Sequence, residues 1–102
     1  MRDYYLSRKA PEGWEPTYGD FIVYPKIPSD YQDADGVGIC HCFSKPSYLL
    51  LWVFCKGGWR KVPFMSPDCR PISQQDYPRT EHNVKFYRQY DKMMDVNLQA
   101  VV

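Results

Sequence analysis

With 102 residues, 44% hydrophobic and 25% charged, the chain has the length of one domain and not of two with separate cores. Thirteen Lys and Arg against twelve Asp and Glu leave a formal charge of +1, too small a field to draw nucleic acid or an anionic membrane from a distance. The longest apolar run, Tyr48 to Cys55, falls well short of the ~18 residues of a membrane span, and Met1-Arg2-Asp3-Tyr4-Tyr5 carries no apolar secretory core.

These features predict a cytoplasmic single domain over residues 1–102, with no membrane association. The expected class is α+β: a small curled antiparallel sheet or SH3-like barrel of about four strands, with an extended N-terminal arm and a C-terminal amphipathic helix. Aromatic residues make up 17% of the chain. A domain this small starts short of burial, so large side chains either fill its core or form a binding surface.

Residues 1–19 contain Pro11, Gly13, Pro16 and Gly19 without helical or strand periodicity, and read as an extended arm. Residues 20–65 form the sheet. Phe21-Ile22-Val23-Tyr24, ended by Pro25, is a first short strand. The polar stretch 25–36, with Asp30, Asp33 and Asp35, is a solvated loop. Val37 to Phe43 is a second strand, whose period of two puts Val37, Ile39, His41 and Phe43 on one face and Gly38, Cys40 and Cys42 on the other.

After a turn at residues 44–47, Tyr48–Cys55 is apolar on both faces, as a covered central strand would be. Lys56-Gly57-Gly58 is the clearest hairpin signal. Trp59 to Phe64 is the returning strand, limited by Pro63 to an edge or to the end of pairing. Residues 66–79 form a loop with one short helical turn at Ser73–Asp76.

Residues 80–98 form the C-terminal helix, capped by Thr80. At 100° per residue Val84, Tyr87, Tyr90, Met94, Leu98 and Val101 fall on one side, widened by Phe86 and Met93. Glu81, Lys85, Arg88, Lys92, Asp95 and Gln99 fall opposite.

The chemistry-bearing residues are few. Cys40, Cys42, Cys55 and Cys69 are the weak metal candidates, but they lack the paired spacing that lets two thiolates meet one zinc ion. Buried free thiols are the expectation, with no metal and no cofactor. His41 reads as a satisfied core or half-buried histidine, while His82 sits at a helix start where a positive charge gains nothing from the dipole. A Cys–His pair built from Cys55 or Cys69 has no local support. The Asp33–Gly36 stretch lacks the oxygens of a calcium loop. No catalytic motif is present, and the expectation is a protein that is not an enzyme.

Binding is the class that remains. The leading expectation is a small protein-binding module, of the kind phages and mobile elements use to inhibit a host nuclease or defence complex, with Trp14, Tyr18, Trp59 and Arg60 as partner anchors. A prolyl isomerase is a further partner class, because Tyr24-Pro25, Ser66-Pro67, Arg70-Pro71 and Tyr77-Pro78 can each adopt cis bonds. The alternatives are a single-stranded nucleic-acid binder using Trp52, Lys56, Trp59, Arg60 and Lys61, and a small zinc-stabilised domain. The near-neutral charge places the nucleic-acid reading second.

Overall fold

The computed structural model describes residues 2–25 and 35–101, with side chains of the last helix as far as Asp95. In chain order the elements are α1 (Arg2–Leu6), β1 (Phe21–Val23), β2 (Val37–Ser44), β3 (Tyr48–Cys55), β4 (Gly58–Met65), β5 (Arg70–Pro71) and α2 (Val84–Val101). Short 3-10 turns at Ser66–Asp68 and Glu81–Asn83 precede β5 and α2. No helix of the described residues is long and apolar enough to cross a membrane.

The strands form one antiparallel sheet in the order β4-β3-β2-β1-β5. It has five strands rather than four, and it is open rather than a barrel. The extra strand is only two residues long, and Pro71 has no N–H for a ladder. Such a strand completes one edge beside β1 but cannot reach across to β4 to close the sheet. The same brevity, between Pro67 and Pro71, hides β5 from sequence patterning.

The sheet buries both faces. On one, Phe21, Val23, Val37 and Ile39 pack with Ile72, Tyr77, Phe86, Tyr87 and Met93 beneath α2. On the other, Ile22, Tyr24, Cys40, Leu49, Leu51, Val53, Cys55, Phe64 and Cys69 form a second core. β1 lies between β2 and β5, and its residues are fully or almost fully buried on both faces, because alternate side chains feed alternate cores.

A bulge in β2 breaks the expected alternation. Ile39 pairs with Trp52 and Cys40 with Leu51, but Cys42 pairs with Leu50 and Phe43 with Leu49. One extra residue therefore reverses the strand's faces beyond Cys40. Phe43 joins Cys40 against the second core, while Cys42 turns to the opposite face and is exposed. Cys40 and Cys42 do not share a face.

The arm is not wholly extended. Arg2–Leu6 is helical, and its Tyr5 and Leu6 pack against the first core. The Arg2 guanidinium lies 5.1 Å from the centre of the Tyr24 ring. The apolar groups of α1 are held by contacts with distant strands, so local periodicity could not reveal them.

At the other end, Asn83 satisfies both sides of the helix start. Its Oδ1 accepts the Thr80 N–H at 2.9 Å and its Nδ2 donates to the Pro78 carbonyl at 2.9 Å. The buried helix face centres on Phe86, Tyr87 and Met93, whereas Val84 is 45% exposed. Leu98 and Val101 lie outside the described side chains. Among the described residues the cis bond is Lys45–Pro46, and the four X-Pro bonds named from sequence are not cis.

Candidate partner-binding site

A cavity of about 460 Å³ opens between the β3–β4 hairpin and the start of α2. That volume lies within the ordinary range of ligand and side-chain pockets. Its apolar wall is Phe54, Trp59 and Phe86, with Val84 at the rim. Phe54 and Trp59 are cross-strand partners with ring centres 5.4 Å apart. Trp59 also lies 6.2 Å from Phe86, which ties the hairpin to the helix.

Opposite this wall Asp35, Tyr77 and His82 form a polar corner. The Tyr77 hydroxyl donates to Asp35 Oδ2 at 2.7 Å, and His82 Nε2 is 2.9 Å from Asp35 Oδ1. Asp35 is therefore not a solvated loop residue, and the His82 ring at the helix start meets a carboxylate from a different part of the chain. Lys85 and Arg88 complete the rim, with the Lys85 ammonium 5.3 Å from the Phe54 ring centre.

β4 borders this cavity and is an edge of the sheet. Which of its main-chain groups face outward follows from its register. Cys55 pairs with Gly58 across the two-residue turn, and Ser66 N–H donates to the Ser47 carbonyl at 2.8 Å beyond the far end. Both facts assign the even-numbered residues of β4 to hydrogen bonds with β3. Trp59, Lys61, Pro63 and Met65 then direct their main-chain groups away from the sheet. Pro63 sits where its missing N–H costs no ladder bond.

The four anchors named from sequence do not form one surface. Trp14 is half-buried against the second core. Tyr18 is 41% exposed, with its hydroxyl donating to the Met93 carbonyl at 3.3 Å. Trp59 lines the cavity. Arg60, its neighbour, points to the opposite face of β4 by strand alternation and donates to the Lys56 carbonyl at 3.4 Å. Sequence reasoning missed Phe54, Asp35, Tyr77 and Phe86 as parts of the same site, since only tertiary contact brings them to Trp59.

The basic-aromatic cluster is likewise divided. Trp52 carries Lys61 over its ring at 5.4 Å and His41 against its edge at 5.9 Å. His41 is half-buried, the second of the two placements expected for it, and its Nδ1 is buried without a hydrogen bond among the described residues.

All four cysteines are free thiols. Cys40, Cys55 and Cys69 belong to the second core, on the other side of the sheet from the cavity. Burial, reinforced by Asp20 and Cys42, pushes the Cys40 thiol up to about 12. Burial and Asp68, only partly offset by Arg70, bring Cys69 to about 12 as well. Thiols held protonated in this way are poor nucleophiles. Among the described residues, no group of three or more His, Cys, Asp or Glu is arranged to hold a metal ion.

The chain matches no family model, no curated protein and no solved structure.

Proposed function

We propose that this protein is a non-enzymatic binding module that receives a protein partner at the Trp59 cavity. The observation that carries this reading is an open, aromatic-walled cavity directly beside β4, which is an edge of the sheet among the described residues. A partner side chain entering it would bury apolar area against Phe54, Trp59 and Phe86, at roughly 25 cal/mol per Å² removed from water. Aromatic anchors in such pockets dominate many interfaces. The cytoplasm is the setting that suits the four free thiols.

Single-stranded nucleic acid is the weaker reading. Nucleic-acid domains are usually clearly basic, yet the formal charge of this chain is only +1, and Trp52 carries Lys61 over its ring.

The reading is tested by affinity capture with wild-type protein, Val84→Asp, Trp59→Ala and Tyr4→Ala as baits. Val84→Asp alters only the exposed rim of the cavity, and Tyr4 is 59% exposed elsewhere. A partner retained by wild type and Tyr4→Ala, but lost by Val84→Asp and Trp59→Ala, supports the proposal. Equal retention by all four baits overturns it.

A further inference from the structure

We infer that the partner element is an acidic, extended segment that adds to the outer edge of β4 as a further strand and places an apolar side chain in the cavity. The inference rests on the reading of the cavity as a protein-docking site and names what docks there.

The main chain supplies the first argument. Trp59 and Lys61 direct N–H and C=O groups outward, so an incoming strand can form ladder bonds along this part of β4. Beyond it, Pro63 contributes only a carbonyl, which confines the pairing to the end beside the cavity. Side chains alternate in an added strand, so every second one lies on the face where Trp59 and Phe54 form the cavity wall. Backbone pairing and side-chain capture then occur in one binding event.

Charge selects the occupant. Lys56, Arg60, Lys61, Lys85 and Arg88 are all exposed around this edge, and none takes part in an ion pair among the described residues. Among the described residues the acids lining the cavity are Glu81 and Asp35, and Asp35 is engaged by His82. An acidic strand meets complementary charge on both faces of β4, from Arg60 on one and Lys61 on the other. A second copy pairing antiparallel about Arg60 would set that cation directly opposite its own counterpart, and one pairing about Lys61 would do the same there. Like charges directly opposite across strands are destabilising.

Two synthetic seven-residue peptides serve as probes. One has valine at positions 1, 3, 5 and 7, phenylalanine at 4 and glutamate at 2 and 6, so that the glutamates share the phenylalanine's face and lie toward Lys61. The other is the same sequence with lysine in place of glutamate. Binding is followed by amide resonances and hydrogen exchange of the intact protein. The glutamate peptide is expected to bind at least about tenfold more tightly at low salt, as complementary charge favours the right partner and repels the wrong one. It should slow exchange of the Trp59 and Lys61 amides, while Arg60 and Val62, already bonded to β3, change little. Lys61→Glu should remove the preference without changing the fold.

Equal binding of the two peptides, binding without protection of Trp59 and Lys61, or no binding of either at millimolar peptide overturns the strand-addition mode. Self-association through β4, seen as a dimer in sedimentation that Lys61→Glu alters, overturns the choice of occupant. If capture still depends on Trp59 and Val84 while the peptides fail, the cavity reading stands and only this mode is lost. If capture is indifferent to both residues, the cavity reading fails as well.

Discussion

His82 Nε2 lies 2.9 Å from Asp35 Oδ1, although the two residues are 47 positions apart in sequence. The two partners differ in exposure, with 68% of the His82 side chain accessible but only 20% of Asp35. Asp35 also accepts the Tyr77 hydroxyl, so it is the member on which the corner depends. Asp35→Ala should cost about 1–3 kcal/mol, since it removes the acceptor of a buried tyrosine hydroxyl. His82→Ala should cost under about 1 kcal/mol, as expected of an exposed partner. Urea unfolding of both variants checks the ranking, and equal losses would count against it.

Tyr87 is 5% exposed, lies under the Arg79 guanidinium at 4.4 Å and donates its hydroxyl to the Tyr77 carbonyl. Tyr87→Ala leaves a large cavity beneath α2 and should cost about 3 kcal/mol or more. An unchanged urea midpoint would show that α2 does not stabilise the sheet through this face.

The bulge makes a prediction about thiol chemistry. In the native protein Cys42 should react with a thiol reagent well before the three buried cysteines, because access and thiolate character both control the rate. Mass spectrometry of singly modified protein should locate the label at Cys42, and all four sites should react after denaturation. Labelling of Cys42 no faster than that of Cys40 would mean that the two share a face, as in unbulged alternation.

The raised thiols at Cys40 and Cys69 also link stability to alkaline pH. Above the ordinary thiol range the unfolded chain releases protons that the folded chain still holds. Stability is then full below that range and falls as pH rises toward the folded values near 12, by up to about 1.4 kcal/mol per pH unit and thiol. Burial raises Tyr87 too, which acts in the same direction at higher pH. Urea midpoints should decline from about pH 8 to about pH 10. A Cys40→Ala/Cys69→Ala variant should decline less steeply, and an identical decline would assign the effect to other groups.

Gly38 tests the closeness of β2 and β3. A Cβ at this position would lie 2.9 Å from the Trp52 carbonyl oxygen and 3.5 Å from Leu51 side-chain atoms. Since the nearest obstacle is backbone, Gly38→Ala should cost about 1–3 kcal/mol through overpacking. A thermal melt matching wild type would mean that the strands separate to accommodate the methyl group.

The sequence by itself determined the elements whose physics is local. The hairpin at Lys56-Gly57-Gly58 and the apolar run of β3 were legible because glycine permits a positive φ in the turn and apolar residues mark a covered strand. Thr80 and the periodic apolar residues after it identified α2 in the same way, and Pro63 marked β4 as an edge strand because an inward-facing proline would break the ladder.

Tertiary structure alone decided the rest. One inserted residue between Cys40 and Cys42 reversed the faces of β2, and no residue type announces such a bulge in advance. β5 is too short for any periodicity and exists only because β1 offers it a partner. Trp59 was legible as an aromatic beside a turn, but its cavity was not, since Asp35, Tyr77 and Phe86 arrive from three separate segments. Nearest-neighbour patterning carries the period of a strand or helix; which distant side chains share a pocket depends on how the open sheet and α2 pack together.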